Sequence, residues 1–291
     1  MRHEPTSDYE FEALGRHGFA VAYRMLGSVS EAEDIVQEAL LRLSQREQPL
    51  DEPAAWITTV VTRLSIDHLR LARVKRESYV GPWIPEPVIA ESAPGPAAHV
   101  ELVDSLSQAF LVVLEHLTPV ERAAFLLREV FDYDYAQIAE IVDRSEANCR
   151  QLVARARKHL AARRPRFDPD EALRDKLLER FLAAAEEGDV TALEELLAED
   201  VVLYGDGGGK VMAATEPVIG GAMVAAFVAD ITRRRREIGD FELERVTVNG
   251  QPGRILRSPD GTVWDVLSLD VVDGRIQTVR IVRNPDKLAH L

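Results

Sequence analysis

The sequence predicts a multidomain chain: two all-α domains, the second with a helix-turn-helix, then a C-terminal α+β domain. Three observations predict it. Residues 117–160 carry helical periodicity and end in an arginine-rich helix. Residues 79–100 hold five prolines and two glycines, which no helix tolerates. After Asp168 the apolar period changes from helical to alternating. The boundaries that follow are 8–78, a linker at 79–100, 101–163 and 168–291.

Within 8–78, Phe11, Leu14, Phe19, Tyr23 and Leu26 belong to a first amphipathic helix, which Gly27 ends. Ser30-Glu31-Ala32-Glu33 reads as a capping box, and Ile35, Val36, Ala39, Leu40 and Leu43 form the inner side of the helix it starts. Pro53 restarts a helix that runs to Glu77. Between Arg63 and Arg76 it carries five basic residues against one acid, a local basic patch. Trp56 falls on its inner face and is expected to pack there. The linker is expected to be partly extended, with helices resuming near Glu101.

Thr118-Pro119-Val120-Glu121 is a capping box with proline at the first helical position, so a helix starts there. A second helix is expected over Tyr135 to Val142. Asp143-Arg144-Ser145 breaks the pattern, and Ser145 caps a third helix from Glu146. There Cys149, Val153, Ala156 and Leu160 form one buried stripe, with Asn148, Arg150, Gln151, Arg155 and Lys158 on the other faces. A short helix, a tight turn and a basic helix make the geometry that seats one helix in a major groove. From Arg144 to Arg166 there are eight Arg/Lys and one acid, in a chain of formal net charge −14. A protein searching DNA alone is normally basic. This balance points to a larger partner that brings the DNA.

Beyond Asp168, Asp168-Pro169-Asp170-Glu171 caps a helix ending at Gly188, and a short helix spans Val190 to Leu197. Strands are expected at VVLYG, KVMAA, FELERVTVNG, GRILRS, TVWDVLSLDVVDG and RIQTVRIVR. Turns fall at Asn249-Gly250, Asp260-Gly261 and Asp273-Gly274, with one helix over Gly221 to Arg236. The 291 residues contain one cysteine, which excludes an intrachain disulfide and a multi-cysteine zinc site. No run of 18 apolar residues exists and no signal pattern opens the chain, so a cytoplasmic location without membrane contact is expected.

The ordered segments EAEDIVQEALLRL, PAAWITTVVTRLSIDHLR and LTPVERAAFLLREVFDYDYAQIAEIV with SEANCRQLVARARKHL resemble the extracytoplasmic-function sigma factors of bacterial RNA polymerase, over about residues 8–163. Residues 168–291 resemble the SnoaL-like, NTF2-type cone. Trp83-Ile84-Pro85-Glu86-Pro87, Asp206-Gly207-Gly208-Gly209-Lys210 and Asn284-Pro285-Asp286-Lys287-Leu288 look like signatures of the SigJ-like subgroup that carries such a cone.

The resemblance implies three tasks. Glu31, Asp34, Gln37 and Glu38 would bind core polymerase, whose β′ clamp and β flap are the expected contacts. Arg63, Arg70, Arg73, Lys75 and Arg76 would hold the opened −10 element, with Arg63 a departure from the asparagine of many relatives. Ser145, Asn148, Arg150, Gln151, Arg155 and Lys158 would read the −35 element of promoter DNA; arginine suits guanine's edge and Asn or Gln adenine's.

The cone would regulate in cis. Trp83, Pro85, Asp206, Gly207, Gly208, Gly209, Lys210, Asn284, Pro285, Asp286 and Lys287 are expected to dock it on the helical part. An unidentified small ligand in the cone is a further expectation. No metal, cofactor or catalytic group is expected: Asp206, Glu216, Asp265 and Asp270 form no visible pair, and the glycine loop lacks the rest of a phosphate-loop pattern. The alternative reading is a ligand-responsive helix-turn-helix regulator with no sigma role. A weaker third is a cyclase- or isomerase-type enzyme fused to a DNA-binding module.

Overall fold

The computed structural model describes residues 8–89, 107–161 and 170–291. They fall into two compact units. One combines 8–77 with 110–161; the other combines 78–89, 107–109 and 170–291.

The first unit is helical. Helix α1 spans Asp8–Leu26, α2 Val29–Ser44 and α3 Pro53–Glu77. The α2 cap is a correction. Ser28, not Ser30, is the N-cap, and its hydroxyl accepts from Glu31 N at 3.2 Å. The reason is local: Gly27 closes α1 with a φ of 68°, so Ser28 is the first extended residue available. Gly18 lets α1 pack closely on its neighbours, since a Cβ there would sit 3.2 Å from Ile57 and 3.4 Å from Val36.

Helices α4 (Gln108–Leu114), α5 (Pro119–Glu129), α6 (Tyr135–Val142) and α7 (Glu146–Ala161) follow. The expected resumption near Glu101 lies outside the described residues. At Thr118 both halves of the capping box form. Asp134 and Gln137 make a second one at α6, which ends on Asp143 in the left-handed region, φ 54°. Ser145 Oγ accepts from Asn148 N at 3.3 Å, so the turn between α6 and α7 is capped as its sequence requires. Cys149, Val153, Ala156 and Leu160 are all buried, and burial raises the Cys149 thiol pKa. Helix α3 packs on α1 and α2 and also on α5 and α6.

The second unit is a six-stranded sheet with helices. Helices α8 (Glu171–Glu187) and α9 (Val190–Leu196) lead into strand β1, Leu197–Asp206. Then come β2 (Val218–Ile219), α10 (Gly221–Ile238), β3 (Glu242–Val248), β4 (Gln251–Arg257), β5 (Val263–Val272) and β6 (Arg275–Val282). The order is β2-β1-β6-β5-β4-β3, with β1 and β6 parallel and the other pairs antiparallel. Asn249-Gly250 and Asp273-Gly274 have positive φ at both positions, as tight hairpins need.

KVMAA is not a strand. Lys210 N and Val211 N both donate to Gly207 O, so the chain turns where a strand was expected and continues as loop.

Side chains alternate along the strands and serve two cores. Leu203, Leu267, Leu269, Val279 and Ile281 pack with α8, α9 and α10. On the opposite face, Tyr204, Val266 and Val282 join Ile255, Val248, Leu288 and, from the linker, Ile84 and Ile89. The described part of the linker, 79–89, is therefore non-helical, as composition dictates, and also supplies core. Each buried isoleucine is worth about 1.5–3 kcal/mol against solvent exposure. Among the described residues, no helix is long and apolar enough to cross a membrane.

Candidate nucleic-acid and polymerase surfaces and the linker dock

Helix α7 presents Arg150, Gln151, Arg155 and Lys158 to solvent on the side opposite its buried stripe, and Ser145 at the turn is exposed. Asn148 is half-buried. Two of the arginines have light protein partners. Arg150 pairs with Glu146 at 2.8 Å and lies 4.9 Å from the Tyr135 ring centre; Arg155 is 3.5 Å from Glu121. The Arg150–Glu146 pair is exposed on both sides and worth about 0–1 kcal/mol, so a phosphate or a guanine edge can replace it; Arg155 is exposed although its partner Glu121 is buried.

On α2, Asp34, Gln37 and Glu38 are exposed and Glu31 is half-buried, 3.1 Å from His68. Leu41 stands beside them 52% exposed. A leucine next to an acidic face suits a protein partner better than solvent.

On α3, Arg63 and Arg70 are exposed, and the side chains of Arg73, Lys75 and Arg76 lie outside the described residues. Arg70 pairs with Asp67 at 2.9 Å. Trp56 is half-buried, with the Arg46 guanidinium 5.5 Å from its ring centre.

Arg63 makes contacts its sequence gave no hint of. Its Nε donates to Ile141 O at 2.9 Å and its Nη2 to Glu140 O at 2.7 Å. A cation thus closes the C-terminal end of α6, where free carbonyls concentrate negative potential. A second tie is Arg122, on α5. Its Nη1 donates to Met25 O at 2.7 Å, its Nε to Leu114 O at 3.1 Å, and it ion-pairs with Glu115 at 2.8 Å. Tyr133 Oη adds a hydrogen bond to Thr58 at 2.9 Å. The segments carrying the two basic surfaces are therefore bonded to one another inside one unit.

The linker dock is built around Asp206, fully buried at the end of β1. Its carboxylate accepts from Tyr79 Oη at 2.5 Å, Ile84 N at 2.9 Å and Gly208 N at 3.1 Å, and ion-pairs with Lys287 at 2.7 Å. Burial and the Asp206 carboxylate push the Tyr79 pKa well above its usual value. Lys287 also donates to Ile84 O and sits 4.2 Å from the Trp83 ring centre and 5.0 Å from that of Tyr79. That cation is the partner Trp83 needs.

Asn284 caps the short 3-10 turn Pro285–Lys287 and donates to Tyr79 Oη at 2.9 Å, while Lys210 pairs with Asp286 at 2.5 Å. Gly208 has a φ of 60°, and a Cβ there would overlap the Asn284 amide; one at Gly209 would press on Val80. Further along, Pro85 O accepts from Gln108, Pro87 O bonds to His290, and Val88 and Asn249 exchange two hydrogen bonds. The glycine loop, the tail and the linker, distant in sequence, meet at one carboxylate.

Two of the three remaining acids considered for catalysis are already engaged. Asp265 pairs with Arg254 and Asp270 with Arg280, all four buried; Glu216 is exposed. Sequence reasoning missed Arg122, Tyr79 and Gln108. Only Arg122 left a trace, as a charge inside the apolar run of α5.

Comparison with known proteins agrees with this layout. Residues 11–74 match the family model of Sigma-70 region 2, residues 107–160 that of Sigma-70, region 4, and residues 178–279 that of the SnoaL-like domain. The ECF RNA polymerase sigma factor SigJ of Mycobacterium tuberculosis is 38% identical over 288 residues, covering 96% of this chain and 92% of that protein. The Probable ECF RNA polymerase sigma factor SigI of the same species is 30% identical over 290 residues, covering 99% and 96%. The crystal structure of M. tuberculosis SigJ superposes with a TM-score of 0.77 at 36% identity, over 97% of this chain and 98% of that one.

Proposed function

This chain belongs to the extracytoplasmic-function RNA polymerase sigma factors, and from that premise we propose how its residues divide the work of initiation and how its C-terminal domain governs them. A sigma factor binds core RNA polymerase and directs it to promoters. The exposed acidic face of α2, with Leu41, serves core binding through Glu31, Asp34, Gln37 and Glu38. The basic run of α3 holds the opened −10 strand, by backbone attraction. The exposed Arg150, Gln151, Arg155 and Lys158 of α7 enter the −35 major groove, with Ser145 and Asn148 at its start.

The observation that carries this reading is the α7 face: a solvent-exposed cationic surface on the second helix of a helix-turn-helix, in an otherwise acidic protein. The net charge explains why polymerase must deliver it to DNA. A free-standing regulator would need neither the α2 face nor a Sigma-70 region 2.

The SnoaL-like domain acts in cis, by holding the linker. With Asp206, Asp265 and Asp270 each bound to a cation, it has no free buried carboxylate among those considered for acid–base chemistry.

Transcription reconstituted with purified core polymerase tests the reading. Initiation should require this protein and start at defined promoters. Arg150→Ala and Arg155→Ala should each lower output from a −35-dependent promoter. A bidentate base contact loses about 1–3 kcal/mol and relaxes specificity at one position, whereas a phosphate contact weakens all promoters alike. Unchanged output from both variants would place the DNA-reading face elsewhere.

A further inference from the structure

A cavity of about 290 Å³ opens between α10 and the helix-facing side of the sheet, with Leu203, Phe227, Ile231 and Ile281 among its walls. Its ionic groups are mostly neutralised. Asp265 is bound to Arg254, Asp230 to Arg233 and Arg234, and Arg235 to Glu186.

Arg283 differs. Its guanidinium lies 4.8 Å from the Trp264 ring centre, and Nη1 donates to Met212 O at 2.6 Å. Its Nε is buried with no hydrogen-bond partner, and no carboxylate among the described residues ion-pairs with it. Burial lowers its pKa, with Asp265 opposing. A guanidinium remains charged in spite of this, so the cavity wall carries a partly desolvated cation that no carboxylate neutralises.

We propose that this cavity binds a small monocarboxylate with an apolar body. The carboxylate sits against Arg283, and the hydrocarbon lies toward Phe227 and Ile231. Since the other charged groups of the lining are paired, Arg283 leaves one uncompensated positive charge, which suits a single negative charge. The volume holds about ten non-hydrogen atoms at interior packing density.

The location gives such a ligand a lever, and this consequence rests on the cis-regulatory reading above. Arg283 N and Asn284 N both donate to Asp206 O, at 2.7 and 2.9 Å. Gly205 lines the cavity, while its neighbour Asp206 holds the linker on the other face. A ligand that draws Arg283 away from Met212 O acts on the strand end that carries the dock.

Calorimetric titration of the full chain with octanoate and with 1-octanol tests the site without polymerase, so its failure is separate from any failure of cis-regulation. Octanoate should bind saturably, and 1-octanol at least about tenfold more weakly, since the difference is a charge-assisted hydrogen bond. Arg283→Gln should weaken octanoate by about 10-fold or more and bring the two probes level. Phe227→Trp, which narrows the apolar end, should weaken both. Equal binding of octanoate and octanol, no saturable octanoate binding below about 1 mM, or wild-type octanoate affinity in Arg283→Gln overturns the proposal. Should Arg283→Gln fail to fold, the wild-type comparison and Phe227→Trp decide it.

Discussion

Asp206→Ala should destabilise the C-terminal unit by about 3–5 kcal/mol, the range for removing one partner of a buried ion pair. The asymmetry of the site sets the size. Lys287 is 7% exposed on its side chain, and without Asp206 its buried ammonium loses that carboxylate while the Ile84 carbonyl and two aromatic faces remain. Tyr79 Oη, Ile84 N and Gly208 N lose their acceptor at the same time. The linker should then leave the sheet and expose Ile84 and Ile89. Lys287→Met should cost less, because the remaining carboxylate keeps three donors. The double variant Asp206→Asn with Lys287→Met should recover part of the loss, since no charge stays buried. Urea unfolding measures the stability, and limited proteolysis within 78–89 reports release of the linker. An Asp206→Ala protein with wild-type stability and a protected linker would remove Asp206 from the centre of the dock.

What was legible in the sequence divides by range of interaction. Helix α5 begins where Thr118 and Pro119 place it, and α6 begins at Asp134 and ends at Asp143, because capping and left-handed termination are settled within four residues. The Cys149 stripe was legible because helical periodicity reports burial directly. The Asn249-Gly250 and Asp273-Gly274 hairpins followed from positive φ alone. Errors came where one local signal competed with another. Ser30 with Glu33 matches the capping-box pattern although Ser28 is the cap, and KVMAA has strand-like composition but follows three glycines that turn the chain.

The site was legible only as three strings. Their meeting point could not be read, since Asp206 finds Ile84 across 122 residues and Lys287 across 81. A glycine run after an aspartate gives no sign that the aspartate is buried. Arg63 illustrates the same limit: its charge marked it for DNA, while its carbonyl partners lie 77 and 78 residues away.

Arg63→Ala should therefore have two opposite effects. On α3 the residue belongs to the basic run proposed for the −10 strand, yet two of its five N–H donors are held by the C-terminal carbonyls of α6. Two bonds anchor the guanidinium against α6, so turning it fully toward an opened strand breaks them. Hydrogen bonds from a charged group are worth about 1.5–3 kcal/mol, less where water competes, as at exposed Arg63. A loss of one or two kcal/mol changes a two-state ratio by about 5–30-fold. The apparent affinity for core polymerase should rise by up to that factor if polymerase selects the separated arrangement. Initiation should nonetheless fall, because a phosphate-facing cation is gone.

Arg122→Met separates the two effects. Arg122 is buried and has no proposed DNA contact, but it too ties α5 to the end of α1 through Met25 O. It should raise core affinity without the specific loss at the −10 element, at some cost in stability from Glu115 left beside an apolar side chain. Fluorescence anisotropy with labelled core gives the affinities, and hydrogen exchange at 140–144 reports whether the end of α6 has opened. Unchanged core affinity and unchanged exchange in both variants would mean that these arginines brace the fold and gate nothing.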